Sequence, residues 1–583
     1  MTTSGEAEDR PGCSQQQPLI TGNLAVNLVA MIVPPSRPRA PWWQSGVVYQ
    51  IYPRSFLDSD GDGVGDLEGI RARLDYLTWL GVDAIWISPF YPSPMADFGY
   101  DVANFCDVDP QFGTLVTFDA LVRDAHARGL KVILDYVPNH TSDRHPWFLE
   151  ARRSRQNPYR DFYLWHDGKP DGGPPTNWLS EFGGPAWTWD AATGQYYYHA
   201  FLAAQPDLNW RNPALRAEMM KVLAFWLDRG VDGFRVDAIH HLIKDDQYRD
   251  NPPNPEYRRG QSPHRSVIRL YTTDRPEVHA AIAEMRAVVD RYSDRILIGE
   301  AYLPVPHLMV YYGAAGVGGM HLPFNFQLIR AEWKAPVLAA IARGYEAALP
   351  AGAWPNWVLG NHDRSRIATR VGPAQARVAA LLLLSLRGTP TMYYGDELGM
   401  QDVTVPAGQV QDPWEKNVPG LGLGRDPERT PMPWTAGAHG GFSSAPPWLP
   451  LGDDFATVNV ERERIDPGSL LSFYRALLAL RRRRSALSLG SYAGLDLGDD
   501  GVLAYLREDG EDRLAVLLNL TGAARRLTLP PGLAGGRVLL STRPERGSDT
   551  LAAAFQLEPD EGLVVELVSP TATAVGSAGS ALR

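Results

Sequence analysis

The stretch Gly230-Val-Asp-Gly-Phe-Arg-Val-Asp-Ala-Ile239 decides the fold. A helix runs into Gly230, a residue suited to the left-handed position that ends helices. A short apolar run follows and delivers Asp237. The same device occurs at Trp79-Leu-Gly-Val-Asp-Ala-Ile-Trp-Ile-Ser88 and at Ala127-Arg-Gly-Leu-Lys-Val-Ile-Leu-Asp135, and more loosely at Ser385-Leu-Arg-Gly-Thr-Pro-Thr-Met-Tyr-Tyr394. Each run is too apolar to leave one face in water, so each reads as a strand of a parallel sheet covered on both sides.

Working outward, strands are expected near 47–52, 84–88, 131–137, 231–237, 296–300, 320–326, 357–361 and 391–394. Eight strands of this kind predict a closed (β/α)8 TIM barrel within an α/β fold, built from residues 41–139 and 211–468. Leu67, Ile70, Leu74, Leu77 and Leu80 put one apolar face on the first helix, and Asn212-Pro213 is a cap followed by proline at the first helical position. Residues 140–210 are rich in aromatics, Gly and Pro with little helical period, and read as a subdomain inserted after strand three. From Ser469 the texture changes. An amphipathic helix (Leu470, Phe473, Leu477, Leu480) ends in Arg481–Arg484, which reads as a solvated terminus complementing the helix dipole. Short strands follow at 502–506, 514–518, 526–529, 538–540 and 563–567, an all-β C-terminal domain over 469–568. Residues 1–40 read as a disordered extension, with Met31 an alternative start and no secretory signal, and 569–583 as a disordered tail.

A net charge of −11 over 583 residues argues against a nucleic-acid surface, and no apolar run is long enough for a membrane span. Two cysteines, Cys13 and Cys106, make no disulfide framework, so a cytoplasmic location is expected. Seventeen Trp and 24 Tyr supply rings that fill cores and also stack on sugars.

Two further runs end like the first, Ile296-Leu-Ile-Gly-Glu300 and Trp357-Val-Leu-Gly-Asn-His-Asp363. Carboxylates at barrel strand ends suit glycosidic bond cleavage, which needs one acid and one carboxylate that attacks or directs water. Arg235 lies two residues before Asp237, on the same strand face, and is expected to hold Asp237 ionised. Glu300 follows an apolar run, so a raised pKa is expected there. The loop Asp58-Ser-Asp-Gly-Asp-Gly-Val-Gly-Asp66 offers carboxylates at Asp58, Asp60, Asp62 and Asp66 and a carbonyl at Val64, a spacing that suits a structural Ca²⁺ or Mg²⁺. It is not a full EF-hand loop, because the position eleven after Asp58 is Gly69.

Asp135-Tyr-Val-Pro-Asn-His140, Gly233-Phe-Arg-Val-Asp237, Gly299-Glu300 and Asn361-His-Asp363, in that order, resemble the four signature segments of the α-amylase family of glycoside hydrolases. Gln205-Pro-Asp-Leu-Asn209 and Arg425-Asp-Pro-Glu-Arg-Thr-Pro-Met-Pro-Trp434 resemble segments of its α-glucosidase and oligo-1,6-glucosidase branch. The resemblance runs from about residue 42 to 568. It implies a retaining mechanism with Asp237 as nucleophile, Glu300 as acid and then base, and Asp363 holding the sugar in its distorted form. It further implies that Arg235, His140 and His362 assist at the first sugar, that Tyr100 stacks on it, and that Asp101, paired with Arg429, closes the pocket behind one glucose. Ala238, the small residue after the nucleophile, implies α-1,4 rather than α-1,6 preference. A similar metal loop occurs in this branch. The expected substrate is a short oligosaccharide such as maltose or sucrose, acted on by a monomer or homodimer. The alternatives are an oligo-1,6-glucosidase, a sucrose isomerase or transglucosylase, or a non-catalytic carbohydrate-binding relative.

Overall fold

The structure is a computed structural model and describes residues 40–567. The extension before residue 40, Cys13 and the tail from 569 lie outside the described residues. Eight parallel strands form the central sheet: β1 Val48–Ile51, β2 Ala84–Ile87, β3 Lys131–Tyr136, β4 Gly233–Val236, β5 Ile296–Gly299, β6 Leu322–Pro323, β7 Asn356–Val358 and β8 Thr389–Tyr393. Their order is β6-β5-β4-β3-β2-β1-β8-β7, and a parallel bridge between Asn325 and Trp357 joins the two ends into a barrel. Almost every residue of these strands is buried, as expected of strands packed inside against one another and outside against helices. Gly81, Gly129 and Gly230 do take positive φ (102°, 78° and 95°), so each chain turns from a helix directly into its strand. Asn212 caps the helix Pro213–Asp228 by accepting from the amides of Ala214 and Leu215.

The insertion after β3 carries a short helix, Pro146–Ala151, and a three-stranded antiparallel sheet of Trp165–His166, Trp187–Asp190 and Gln195–Tyr198. Its core is a separate aromatic cluster around Trp178, Trp187 and Tyr198.

Two expectations need correction at the C-terminal end. The helix Leu470–Arg483 packs on the barrel helices Pro373–Ser385 and Leu74–Leu80, so the β domain begins at Ser491. Arg481 is not solvated. It is buried and donates to the carbonyls of Leu384, Leu487 and Gly388, stitching three chain segments together. The β domain has a five-stranded antiparallel sheet, which joins Ser491–Leu495 to four of the expected strands, and a pair formed by the fifth, Arg525–Thr528, with Ala554–Leu557. Alternate residues of its central strands face opposite cores: Leu503, Tyr505, Leu514 and Val516 join the barrel core, whereas Val502, Ala504, Ala515 and Leu517 join a second core under the strand pair. No helix among the described residues is long and apolar enough to cross a membrane.

Candidate active site

A cavity of about 650 Å³ opens at the C-terminal ends of the strands. Asp237 follows β4, Glu300 follows β5, and Asp363 sits in the loop after β7; all three line the cavity. Arg235 organises two of them. Its Nη1 donates to Asp237 Oδ1 at 2.6 Å and to Asp135 Oδ1 at 2.8 Å, and its Nη2 lies 2.7 Å from Glu300 Oε2. The sheet register places Asp135 directly beside Arg235, which is why that buried pair forms. Arg235 itself is fully buried beneath the cavity, over the ring of Trp86.

The electrostatics differ from the expectation. Burial pushes the Asp237 carboxyl well above the usual range; Arg235 opposes this, but Glu300 and Asp135 add to the upward shift. Three carboxylates share one guanidinium, so its single positive charge does not balance them all. Nor is the Glu300 carboxylate surrounded by the apolar run that precedes it. Ile296, Leu297 and Ile298 pack in the cores below, while Glu300 Oε2 meets Arg235 and accepts from the amide of Ala238 at 2.9 Å. Ala238 sits in the left-handed region (φ 44°, ψ 36°), and that turn aims its N–H at the carboxylate.

Asp363 is the opposite case. Burial alone would raise it, but His362, Arg425 at 3.2 Å, Arg429 at 3.0 Å and the more distant Arg235 hold it far below the usual carboxylate range. His362 lies 3.4 Å away; burial and the same arginines depress its own pKa well below the ordinary value, with Asp363 opposing them. Gln50 contacts His362 Nδ1 at 2.7 Å, which leaves Nε2 towards Asp363. The His362 ring is stacked between Tyr52 and Tyr100 (centroids 5.8 and 5.3 Å). Tyr100 lines the cavity and donates to Asp135 at 2.9 Å. His140 also lines it, touching Gln205 Nε2 at 3.1 Å and the Tyr100 carbonyl at 3.2 Å, and burial lowers its pKa to about 4.

Asp101 and Arg429 do not form the pair that closes the pocket. The Asp101 carboxylate turns back into its own loop and accepts from Ser93 Oγ, Ala96 N and Asp97 N. The wall residue is Asp97, four positions earlier, and its partner is Arg425 at 2.7 Å. Arg425 also pairs with Asp412 at 2.6 Å and so ties Asp97, Asp363 and Asp412 into one closed end. Arg429 lies behind, bonded to the His362 carbonyl and to Asp363. Arg425 lay inside the quoted Arg425–Trp434 segment, where the second arginine was taken instead of the first, whereas Asp97, four residues before Asp101, was not singled out by the sequence reading. Phe182, Tyr302 and Trp414 also line the cavity, and no sequence pattern marked them.

In the Asp58–Asp66 loop, Asp58, Asp60 and Asp66 each offer an oxygen within 4.8 Å of the others. Asp58 gathers the amides of Asp60, Gly61 and Gly63, and Asp66 caps the helix Leu67–Ala72 through Gly69 N. Asp62 stands apart from the three, its carboxylate accepting from Val64 N at 2.7 Å. The all-oxygen donor set fits a hard divalent cation.

A family model described as "Alpha amylase, catalytic domain" matches residues 50–490. A probable α-glucosidase of Rhizobium meliloti is 43% identical over 508 residues, covering 85% of this chain and 92% of that protein. An α-glucosidase of Culex pipiens is 41% identical over 552 residues, 92% of each. The solved structure of an α-glucosyl transfer enzyme, XgtA, superposes with a TM-score of 0.86 at 40% identity, covering 91% of this chain and all of that one.

Proposed function

The chain belongs to the α-amylase family of glycoside hydrolases, and from that membership we propose that it is an exo-acting, retaining α-glucosidase that removes terminal α-1,4-linked glucose from short oligosaccharides. The observation that carries the exo reading is the closed end of the cavity, where Arg425 clamps Asp97, Asp363 and Asp412 together. A glucan chain cannot pass through this wall, so only a terminal glucose fits behind the reacting bond.

Asp237 attacks the anomeric carbon while Glu300 gives its proton to the leaving oxygen; the resulting glucosyl-enzyme is then hydrolysed by water that Glu300 deprotonates. One proton across the Asp237–Glu300–Arg235 cluster is the starting state this sequence requires, and the shared guanidinium keeps both carboxylates at the same bond. Asp363, held ionised by its arginines, accepts hydrogen bonds from sugar hydroxyls without taking up a proton. Neutral His140 and His362 hydrogen-bond the same sugar, and Tyr100 offers its ring face. The glucosyl-enzyme also accepts a sugar or alcohol in place of water, which supports transglucosylation alongside hydrolysis. Asp58, Asp60 and Asp66 would hold a Ca²⁺ or Mg²⁺ that offsets the repulsion among them and braces the loop. The cysteine count supports a cytoplasmic enzyme.

The test is product analysis with maltose, isomaltose and sucrose, using Asp237→Asn as the blank. Release of α-glucose from maltose, with isomaltose slow, supports the reading and the weight placed on Ala238. Fast isomaltose cleavage would keep the mechanism and reverse the linkage preference. Activity no higher than the blank on all three would sink the proposal.

A further inference from the structure

We propose that the leaving-group half of the cavity is built for an anionic aglycone, one carrying a carboxylate or a phosphate ester; this rests on the glucosidase reading above. The cavity is polarised. Its inner end carries the buried acids Asp97, Asp237, Glu300 and the half-buried Asp363, with Arg425 as the lining cation. Its mouth is lined instead by Arg265, Arg330 and Arg364. Arg265 and Arg330 are exposed, outward of the acids, and Arg364 is half-buried beside Asp363.

None of the three makes an ion pair within 4.0 Å among the described residues. Arg330 and Arg364 flank the Tyr302 ring, with their guanidinium carbons 4.6 and 5.3 Å from its centroid. Tyr302 in turn stacks on Phe326 at 4.0 Å, so the platform between the arginines is fixed. The Nε of Arg364 is buried without a hydrogen-bond partner. Burial and the proximity of Arg364 and Arg265 lower the pKa of Arg330, as expected for like charges crowded together. The mouth also holds acids, but they do not neutralise the cluster. Glu181 is committed to Arg269, and Glu256 is exposed and pairs with none of the arginines.

Asp363 and Glu428 offset part of the charge of Arg364, but Arg265 and Arg330 have no such partner among the described residues; like charges crowded at one spot are unfavourable in the empty protein, and an oxyanion relieves them with charge-assisted bonds. The placement runs against the chain as a whole, whose net charge is −11. A neutral disaccharide needs no such mouth. Glucose occupies the acidic end, so the anion belongs on the departing group.

The experiment compares kcat/KM for 4-carboxyphenyl and 4-carbamoylphenyl α-glucosides, a charged and a neutral aglycone of the same shape, and for maltose with and without a 6-phosphate on its reducing glucose. The expected result is a preference for the anion of at least about tenfold, the worth of one charge-assisted hydrogen bond. The carboxylate and phosphate arms show which oxyanion is preferred. The preference should shrink at about 1 M ionic strength, where the Debye length is ~3 Å. It should also fall towards unity in Arg330→Gln and Arg265→Gln, both exposed residues, with circular dichroism as the check on folding. Equal or poorer turnover of both anions, with the neutral partners cleaved, would overturn this inference and leave the glucosidase reading intact. A preference that survives both substitutions would also overturn it. Failure to cleave any of the four substrates would overturn both.

Discussion

Replacing Ala238 with Val perturbs catalysis through the backbone. Ala238 occupies the left-handed region, and its N–H donates to Glu300 Oε2 at 2.9 Å. A left-handed residue bearing a Cβ already costs about 1–2 kcal/mol, and a branched Cβ raises that further. The chain relieves the strain by rotating the 238 peptide, which removes the N–H from the acid. A hydrogen bond to a charged acceptor contributes about 1.5–3 kcal/mol, equivalent to roughly a 10- to 100-fold change in rate where it positions the proton donor. The assay uses two substrates with small aglycones, so that direct contact with the new methyls is minimal. Methyl α-glucoside needs protonation of its leaving oxygen, whereas α-glucosyl fluoride depends on it far less. Ala238→Val should lose 10- to 100-fold in kcat/KM on the methyl glucoside and much less on the fluoride. Ala238→Gly, which fits the left-handed turn, should spare both. Equal losses on the two substrates would refute the coupling to Glu300.

Asp237→Asn should abolish turnover yet raise Tm by a few degrees at pH 7. The folded pKa of Asp237 is raised, so its contribution to stability is complete below the unfolded value of about 3.9 and is lost as pH rises through the folded pKa. The neutral amide escapes that loss, and a variant no more stable than the parent at pH 7 and at pH 4 alike would contradict this. Asp97→Asn should reduce kcat/KM on maltose by about 100-fold or more, because it loosens the glucose end and leaves Arg425 short of a partner. Asp101→Asn should act chiefly on Tm by removing loop hydrogen bonds, and steady-state kinetics of both variants would expose a reversed pattern. Chelator treatment should lower Tm and leave the pH profile unchanged. Asp60→Ala should abolish the chelator effect, and an unaltered melting curve of the parent with chelator would remove the metal from the account.

The eight strands and the helices before them were legible because their signals are local. A helix stop at Gly230, a cap at Asn212 and a run such as Ile296-Leu-Ile depend on a few neighbouring residues and on whether both strand faces are dry. For the same reason the three cavity carboxylates Asp237, Glu300 and Asp363 could be read, since each follows the end of such a run. What the sequence by itself could not determine was direction within loops and partnership across the barrel. Asp97 and Asp101 are separated by Phe98 and Gly99, both at positive φ, which reverse the chain so that one carboxylate faces the cavity and the other its own loop. Arg425 and Arg429 flank a tight turn, Asp426–Glu428, and only barrel closure decides that the first meets Asp97, 328 residues away in sequence. The upward pull on the Asp237 pKa was not legible from the adjacent Arg235, because that guanidinium also serves Asp135 and Glu300, on neighbouring strands. Local pattern fixes which residues leave water together. Coulomb interactions depend on all the charges within a few ångströms, and those neighbours exist only once the strands have closed into a ring.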